Sequence, residues 1–349
     1  MPHRTTLQTL WKTKLKHAFN QVVVGKLFRI QKECIIVGCE DGIIRVYDIP
    51  SGHPSSTELP EIEPHLCLET KGGPVQSLVL ADITRFSEAD LIAGDSRGTM
   101  TIFCNGQILS RQSLSGHSLG HLQVDTDATG NVSVITGDTG GVVHAQLPYS
   151  HLWKLRLDSP MQEAESRPSV VKCLLAANLV GSSGRRSNYI LASDDCRNLH
   201  FIQQGLIVLT LPTPSVITAM CCGNFLPKEE VQQISEMPEA TASQVALGGN
   251  DGSIIIMTDF QIHTTEYANF QLPIMHLGAI ATGHADELDS MLCAGYSHSL
   301  ALYHSRKLLN QYEASDWINS LAVADLDKNG EPEVLIGCRD GTVEAVKVT

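Results

Sequence analysis

The chain has 349 residues, of which 42% are hydrophobic, and its formal net charge is −13 at pH 7. This acidic balance argues against a nucleic-acid surface, because phosphate binding needs clustered Lys and Arg side chains. No apolar run reaches the roughly 18 residues that cross a bilayer, so we expect no direct membrane insertion.

The ten cysteines have no regular spacing and include no Cys-x-x-Cys pair. Several of them, such as Cys34 and Cys338, stand inside strand patterns and are typical of small buried hydrophobes in a reducing compartment. We therefore expect a cytoplasmic protein with free thiols. The histidine spacing indicates no metal site either, since the one pair at helical ligand spacing, His117 and His121, lies where no helix is expected.

The N-terminal segment is basic and free of acidic residues, with Arg4, Lys12, Lys14 and Lys16 among apolar neighbours. A mitochondrial transit segment is the minor alternative, because such segments share this composition. A strand over residues 8–14, continuous with the repeats that follow, is the favoured interpretation.

A short pattern recurs seven times: two or three apolar residues, a turn that usually contains glycine, and a second alternating apolar run. The turns are anchored at residues 42, 98, 141, 198, 252, 299 and 341, in steps of 42 to 57 residues. Strand hairpins at this period are typical of a β-propeller with one blade per repeat.

The second repeat shows the expected blade most clearly. Its pattern predicts strands over residues 75–81, 90–93, 99–104 and 107–114. The glycine between the second and third strands suits a tight hairpin, because glycine adopts positive φ without steric cost.

The two ends of the chain predict how the ring closes. After Gly341 there is room for one strand but not two, whereas residues 8–14 have no blade of their own. We therefore predict an all-β, seven-bladed β-propeller over residues 1–349, closed by pairing of the N-terminal strand with the C-terminal blade. Pairing removes a sheet edge that would otherwise promote aggregation, so trimming the first fifteen residues should destabilise the domain.

Two polar insertions interrupt the repeats, at about residues 159–168 and 226–244. The second is acidic and falls between the first two strands of the fifth blade. Long connections in compact domains are usually functional or disordered.

A candidate calcium loop occurs in the seventh repeat. Asp325, Asp327, Asn329 and Glu333 place oxygen side chains at positions 1, 3, 5 and 9 of a loop, and Glu331 would add a backbone carbonyl. Calcium takes six to eight oxygen ligands, and alternate positions of a tight loop converge on one centre. In the alternative interpretation, the same side chains cap turn amides and hold no metal.

The segment from 321 to 337, with its Asp-rich loop followed by an apolar strand ending in Gly337, resembles an FG-GAP-type repeat. The segment from Asp41 to Asp48 is similar to a WD repeat in which Tyr47 replaces the tryptophan. Intracellular propellers of this kind occur in BBSome subunits and in the FG-GAP-like subunits of the KICSTOR complex. The resemblance implies a non-enzymatic scaffold that binds other proteins in a complex of ciliary-trafficking or nutrient-signalling type, at a cilium or a lysosomal surface.

Two other functions remain open. Residues 116–120 read Gly-His-Ser-Leu-Gly and match the nucleophile elbow of serine hydrolases, with Ser118 as the nucleophile. The elbow requires a buried strand before the serine and a helix after it, and the flanking residues here predict neither. The third hypothesis is a calcium-binding adhesion or sensor module that depends on the loop from Asp325 to Glu333.

Overall fold

The computed structural model describes residues 6–30, 32–50, 59–86, 88–127, 129–157, 169–180, 185–234, 243–281 and 288–349. Within these ranges the chain forms 28 strands and one short helix. The strands make seven four-stranded antiparallel sheets. This arrangement confirms the predicted all-β, seven-bladed propeller.

The first three blades follow one another along the chain. They come after the N-terminal strand β1 (Leu7–Lys14), which belongs to blade 7. Their strands are β2 (Phe19–Gly25), β3 (Cys34–Cys39), β4 (Ile43–Asp48), β5 (Leu66–Glu69), β6 (Val75–Ala81), β7 (Asp90–Asp95), β8 (Thr99–Cys104), β9 (Gln107–Ser113), β10 (Leu119–Thr126), β11 (Val132–Asp138), β12 (Val142–Gln146) and β13 (His151–Arg156). The four strands of blade 2 lie within two residues of their predicted bounds.

The remaining blades continue the pattern with one helix. Their elements are β14 (Val171–Val180), β15 (Arg186–Asp194), β16 (Asn198–Gln203), β17 (Leu206–Pro212), β18 (Ile217–Gly223), α1 (Lys228–Ile234), β19 (Gln244–Gly249), β20 (Ser253–Thr258), β21 (Gln261–Asn269), β22 (Ile274–Ile280), β23 (Ser290–Gly295), β24 (Ser299–His304), β25 (Lys307–Glu313), β26 (Ile318–Ala324), β27 (Glu333–Cys338) and β28 (Thr342–Val348).

Two compact units group the blades. Blades 1, 2, 3 and 7 form one unit, and blades 4, 5 and 6, with the loop at 126–131, form the other. In blades 1, 2, 5, 6 and 7 every residue of the second strand is buried, namely in β3, β7, β19, β23 and β27. These strands are apolar on both faces, since each face packs against side chains.

The N-terminal strand completes the C-terminal blade. β1 pairs antiparallel with β28 from Leu7 opposite Val348 to Lys14 opposite Thr342, with a bulge between Thr9 and Trp11. The pairing confirms the predicted closure. Trp11 is buried in the same cluster as Ala345, so the strand is held by packing as well as by its hydrogen bonds.

The turns between the second and third strands follow the predicted pattern at five of seven anchors. Gly42, Gly98, Gly141, Gly252 and Gly341 all have φ between 79° and 88°.

Blade 4 departs from that pattern by one position. Its left-handed residue is Arg197, with φ of 63°, and not the predicted anchor Asn198. The nearby Asp194 carboxylate accepts hydrogen bonds from the amides of Cys196 and Asn198, which holds the turn without a glycine.

Only part of the two predicted insertions falls within the described residues. The one predicted at 159–168 lies outside the described residues. The one predicted at 226–244 does lie between β18 and β19, but it begins with α1, which the sequence analysis did not predict. Leu226 and Val231 are buried in the core of their unit, so the start of this insertion is packed structure.

Candidate functional sites

A structural device recurs at the first residue of the second strand in several blades. In blade 2, Asp90 Oδ2 accepts hydrogen bonds from the amides of Ile83 and Thr84, at 3.1 and 2.9 Å. In blade 5, Gln244 Oε1 accepts one from Leu226 at 2.8 Å, beside a second from the preceding residue. A buried polar side chain thereby satisfies backbone amides of the loop before it, which would otherwise cost free energy.

Glu333 occupies this position in blade 7. Its Oε2 accepts hydrogen bonds from the amides of Leu326 and Asp327, at 2.7 and 3.4 Å. The side chain is fully buried, and its other oxygen, Oε1, has no hydrogen-bond partner among the described residues. Burial, together with the negative charge of Asp327, raises the pKa of Glu333.

The structure brings together three of the four predicted calcium ligands. Asp325, Asp327 and Glu333 can each place one carboxylate oxygen within 4.8 Å of the others. Asn329 is arranged differently, because its amide nitrogen donates to Asp327 Oδ2 at 2.9 Å. Its side-chain oxygen accepts a hydrogen bond from the Glu331 amide at 2.6 Å, so it is used within the loop.

The loop also shows the turn-capping contacts of the alternative interpretation. Asp325 and Asp327 each accept a hydrogen bond from the Asn329 amide, at 3.0 and 3.1 Å. Asp325 accepts a further one from Gly330. Each oxygen of the two carboxylates thus accepts one hydrogen bond within the loop. Lone pairs remain on these oxygens, since an ionised carboxylate accepts about four hydrogen bonds.

A buried aspartate beside a histidine is a second recurring feature, which was not predicted from the sequence. In blade 4, the buried Asp194 Oδ2 lies 3.1 Å from His200 Nε2, whose other ring nitrogen is 3.0 Å from Thr210 Oγ1. Burial would raise the pKa of Asp194, but hydrogen bonds from His200 and Asn198 lower it. The sequence signal was an aspartate ending the second strand with a histidine six residues later.

The corresponding pair in blade 3 is not hydrogen-bonded. His144 Nε2 lies 4.0 Å from Asp138 Oδ2, and both atoms are buried without a hydrogen-bond partner in the described part of the chain. Asp138 Oδ1 instead accepts bonds from the turn amides of Gly140 and Val142. Burial, aided by the charge of Lys154, lowers the pKa of His144 to about 4.

Ser118 lies in the connection between β9 and β10. Strand β10 begins at the next residue, Leu119, where a nucleophile elbow would have a helix. The Ser118 carbonyl oxygen accepts a hydrogen bond from the Thr139 amide at 3.0 Å, which fixes the connection against blade 3. The local geometry therefore differs from that of a hydrolase nucleophile.

Large apolar side chains are exposed on the connections between strands. In the four-blade unit, Phe86 is 72% exposed, Tyr149 is 74% exposed, and Trp317 is also exposed. In the three-blade unit, Leu272 and Tyr296 are exposed on neighbouring loops, which are joined by a hydrogen bond from the Tyr296 amide to the Pro273 carbonyl. Tyrosine and tryptophan are the residue types most enriched at the energetic centres of protein interfaces.

Comparison with known proteins gives a result only at the level of structure. No family model matches the sequence, and no curated protein matches it. A solved structure of BBS1N in complex with ARL6DN, soaked with lead, has a TM-score of 0.70 at 10% identity, covering 98% of this chain and 97% of that chain. The likeness is one of fold.

Two other solved structures give the same result. A mercury-soaked crystal of BBS1N in complex with ARL6DN has a TM-score of 0.69 at 10% identity, covering 99% of this chain and 98% of that chain. The WD40 β-propeller domain of Doa1 has a TM-score of 0.65 at 12% identity, covering 98% of this chain and 96% of that chain. The predicted similarity to a BBSome-type propeller is therefore confirmed at the level of fold, and a WD40 propeller has the same fold. Within the described residues, no helix has the length and hydropathy to cross a membrane.

Proposed function

We propose that this chain is a non-enzymatic propeller that binds other proteins as a subunit of a multiprotein complex. The observation that carries the proposal is that seven blades account for most of the described chain, while bulky apolar side chains stand exposed at blade ends. The solved BBS1N propeller, which has this fold, is in complex with another protein, ARL6DN. Rigid blades with variable connections suit a protein-binding surface.

Tyr149 and Tyr296 are the anchors on which partner binding depends. Tyrosine and tryptophan dominate binding energy in protein interfaces because they bury a large apolar area and keep a polar group for hydrogen bonding. Tyr149 lies between β12 and β13, and Tyr296 lies between β23 and β24. Each stands on a short connection between paired strands, so little entropy is lost when it is buried.

The partner carries a basic patch. The chain has 38 acidic and 25 basic residues, which gives the net charge of −13. Complementary charge raises association rates and fixes orientation more than it adds affinity, so binding should weaken with salt chiefly through the on-rate.

Of the two complexes that the sequence resemblance suggests, the ciliary-trafficking type is favoured, because a BBSome-type propeller is among the similar structures. We also infer a cytoplasmic location. None of the ten cysteines, all of which lie in the described ranges, forms a disulfide, and Cys67 and Cys222 are exposed. Exposed thiols persist in a reducing compartment.

Affinity purification of the tagged full chain, followed by mass spectrometry, tests the proposal. We expect a stoichiometric set of proteins with wild type, and at least a tenfold loss of one of them with Tyr149→Ala or Tyr296→Ala. Leu309→Ala, an exposed apolar residue on the outer strand β25, is the matched control and should keep the set. A monomeric chain that returns no stoichiometric partner would overturn the proposal.

Calcium binding by the blade 7 loop is a second candidate function. It is favoured by Glu333 Oε1, a buried carboxylate oxygen without a partner among the described residues, beside Asp325 and Asp327. These oxygens are hard ligands of the kind that calcium prefers, and the metal charge would offset the burial of Glu333.

Thermal melting in calcium and in EGTA tests this candidate. We expect calcium to raise the melting temperature of wild type, with the increase lost in Asp327→Ala. Asp127→Ala, in the turn after β10, is the control and should keep the increase. Equal melting temperatures of wild type in calcium and EGTA would rule the site out, while leaving the protein-binding proposal intact.

A further inference from the structure

A mixed cluster of metal-ligating side chains lies at one end of blade 1. Cys34 is the first residue of β3, and the register places it opposite Asp48, the last residue of β4. His65 stands just before β5, and its amide donates to the Val46 carbonyl at 2.9 Å, which holds it beside β4. Cys34 Sγ, one Asp48 oxygen and one His65 ring nitrogen lie within 4.8 Å of one another.

Cys34 stands where other blades use a loop-anchoring polar residue. Asp90, Gln244 and Glu333 occupy the equivalent position and accept hydrogen bonds from loop amides. The Cys34 thiol instead donates to the carbonyl oxygen of Lys32, at 3.5 Å. A thiol is a weak acceptor, so Cys34 does not serve as a loop anchor. It packs in the core of its unit and places a metal-ligating sulfur beside an imidazole and a carboxylate.

We propose that Cys34, Asp48 and His65 form a site for Zn²⁺, with the fourth coordination position left for water or a side chain of a partner protein. Thiolate sulfur, imidazole nitrogen and carboxylate oxygen are the three ligand types that zinc takes in proteins. Binding breaks the S–H bond of Cys34 and forms an S–Zn bond, and the proton leaves to solvent. The thioether of a methionine or the hydroxyl of a serine at position 34 would not supply a soft anionic ligand as the cysteine thiolate does.

The positively charged side chain of Lys32 lies beside this cluster. Its Nζ lies 2.8 Å from Asp48 Oδ1, and its side chain is 56% exposed. Asp48 Oδ1 also lies 3.2 Å from His65 Nδ1. Because the Lys32 side chain is exposed, it can move away from Asp48 when the metal binds.

The cluster is open on one side. Lys32, Glu33 and Asp48 line a cavity of about 640 Å³, whose wall also includes Trp11 and Asp327. Of the three ligands, Asp48 faces this cavity, so an ion or a fourth ligand can approach the cluster from the side of Asp48.

Zinc titration of the purified full chain against a chromophoric chelator tests the site, with cobalt absorption as a second readout because a thiolate ligand gives a charge-transfer band. We expect one zinc ion per chain. His65→Ala and Cys34→Ser should each weaken binding more than about tenfold, since even changes to groups behind the ligands cost that much. The charge-transfer band should vanish in Cys34→Ser alone.

Two controls separate this site from others. Cys67→Ser changes an exposed thiol near His65 and should keep zinc affinity within about twofold. Asp327→Ala, which removes the calcium candidate, should also keep it. His65 is exposed, so its alanine variant should melt at the wild-type temperature without metal. Wild-type zinc affinity in a folded His65→Ala variant would overturn the proposal, as would the absence of zinc binding by wild type.

Discussion

Lys12 Nζ lies 2.9 Å from Glu344 Oε2, and the register places the two residues directly opposite one another in β1 and β28. Glu344 is fully buried, and its other carboxylate oxygen accepts a hydrogen bond from the Ser315 amide at 2.7 Å. The closure of the C-terminal blade therefore includes an ion pair in addition to its backbone hydrogen bonds.

Lys12→Ala should destabilise the protein by about 2 kcal/mol, because it leaves the buried Glu344 carboxylate without its cation. Removing one partner of a fully buried ion pair costs roughly 3–5 kcal/mol. The expected loss is smaller here because Lys12 is partly exposed. Lys14→Ala, in the same strand as Lys12, is the matched control. Lys14 pairs with the partly exposed Asp340, so its loss should cost less than about 1 kcal/mol. Urea denaturation measures both, and equal losses would contradict the ranking.

Gly98→Ala should destabilise blade 2 by more than about 3 kcal/mol, whereas Gly106→Ala should cost about 1 kcal/mol. The two glycines have nearly the same φ, 80° and 79°. A Cβ at Gly98 would lie 2.2 Å from the Ser115 carbonyl oxygen, whereas one at Gly106 meets nothing within 4 Å. Thermal melting of both variants separates steric overlap from backbone strain, and similar melting temperatures would refute the distinction.

His144 should make stability depend on pH in mildly acidic solution. Its pKa falls from 6.5 to about 4 in the folded state, so the unfolded chain binds a proton in this interval and the folded chain does not. Stability is therefore lost as pH falls from about 6.5 to about 4, by roughly 3 kcal/mol from this residue.

Replacing His144 by threonine, the residue at the equivalent position of blade 2, should remove that part of the pH dependence. Denaturation at several pH values compares the variant with wild type and with His298→Thr, a change at an exposed position. The His298 variant should follow wild type. A His144→Thr profile that is parallel to wild type would show that His144 does not titrate in this way.

Glu333→Gln should keep or raise stability at pH 7 in EGTA, within about 1 kcal/mol. The raised pKa of Glu333 means that its charged form is disfavoured by folding, so stability from this group falls as pH rises above the ordinary value of 4.5. A glutamine avoids the buried charge and can accept the same loop amides, as Gln244 does in blade 5.

Glu333→Ala is the control for loop anchoring. It leaves the Leu326 and Asp327 amides without an acceptor, and we expect a loss of about 2 kcal/mol. Urea denaturation in EGTA compares the two variants. A glutamine variant as unstable as the alanine variant would show that the negative charge itself is needed in the metal-free protein, against this prediction.

Ser118 should not react with a fluorophosphonate probe. The residue after it begins β10, so no helix N-terminus helps to form an oxyanion hole, and the serine has the ordinary weak nucleophilicity of a hydroxyl. Labelling of the folded wild type that disappears in Ser118→Ala would revive the hydrolase hypothesis.

The sequence predicted the blades well because each one repeats a local signal. Glycines such as Gly42 and Gly341 mark turns, and the apolar runs before them mark the buried second strand. Closure by residues 8–14 was also predictable, since the repeat count left one strand missing at the C-terminal end. Those features depend on periodicity, which a single sequence displays directly.

The side-chain clusters were harder to predict, because they depend on register between strands. Cys34, Asp48 and His65 are separated by 14 and 17 residues, and only the pairing of β3, β4 and β5 brings them together. Asn329 shows the same dependence on geometry: its loop position fits a calcium ligand, and only the structure shows that its side-chain oxygen accepts a hydrogen bond within the turn. Helix α1 was missed because its short polar segment carries little periodicity.

The pairing of β1 with β28 also sets an order for biosynthesis. Trp11 leaves the ribosome long before Ala345, the residue opposite it. An apolar tryptophan on an unpaired strand must then wait, exposed or sheltered by a chaperone, until almost every other blade has been made.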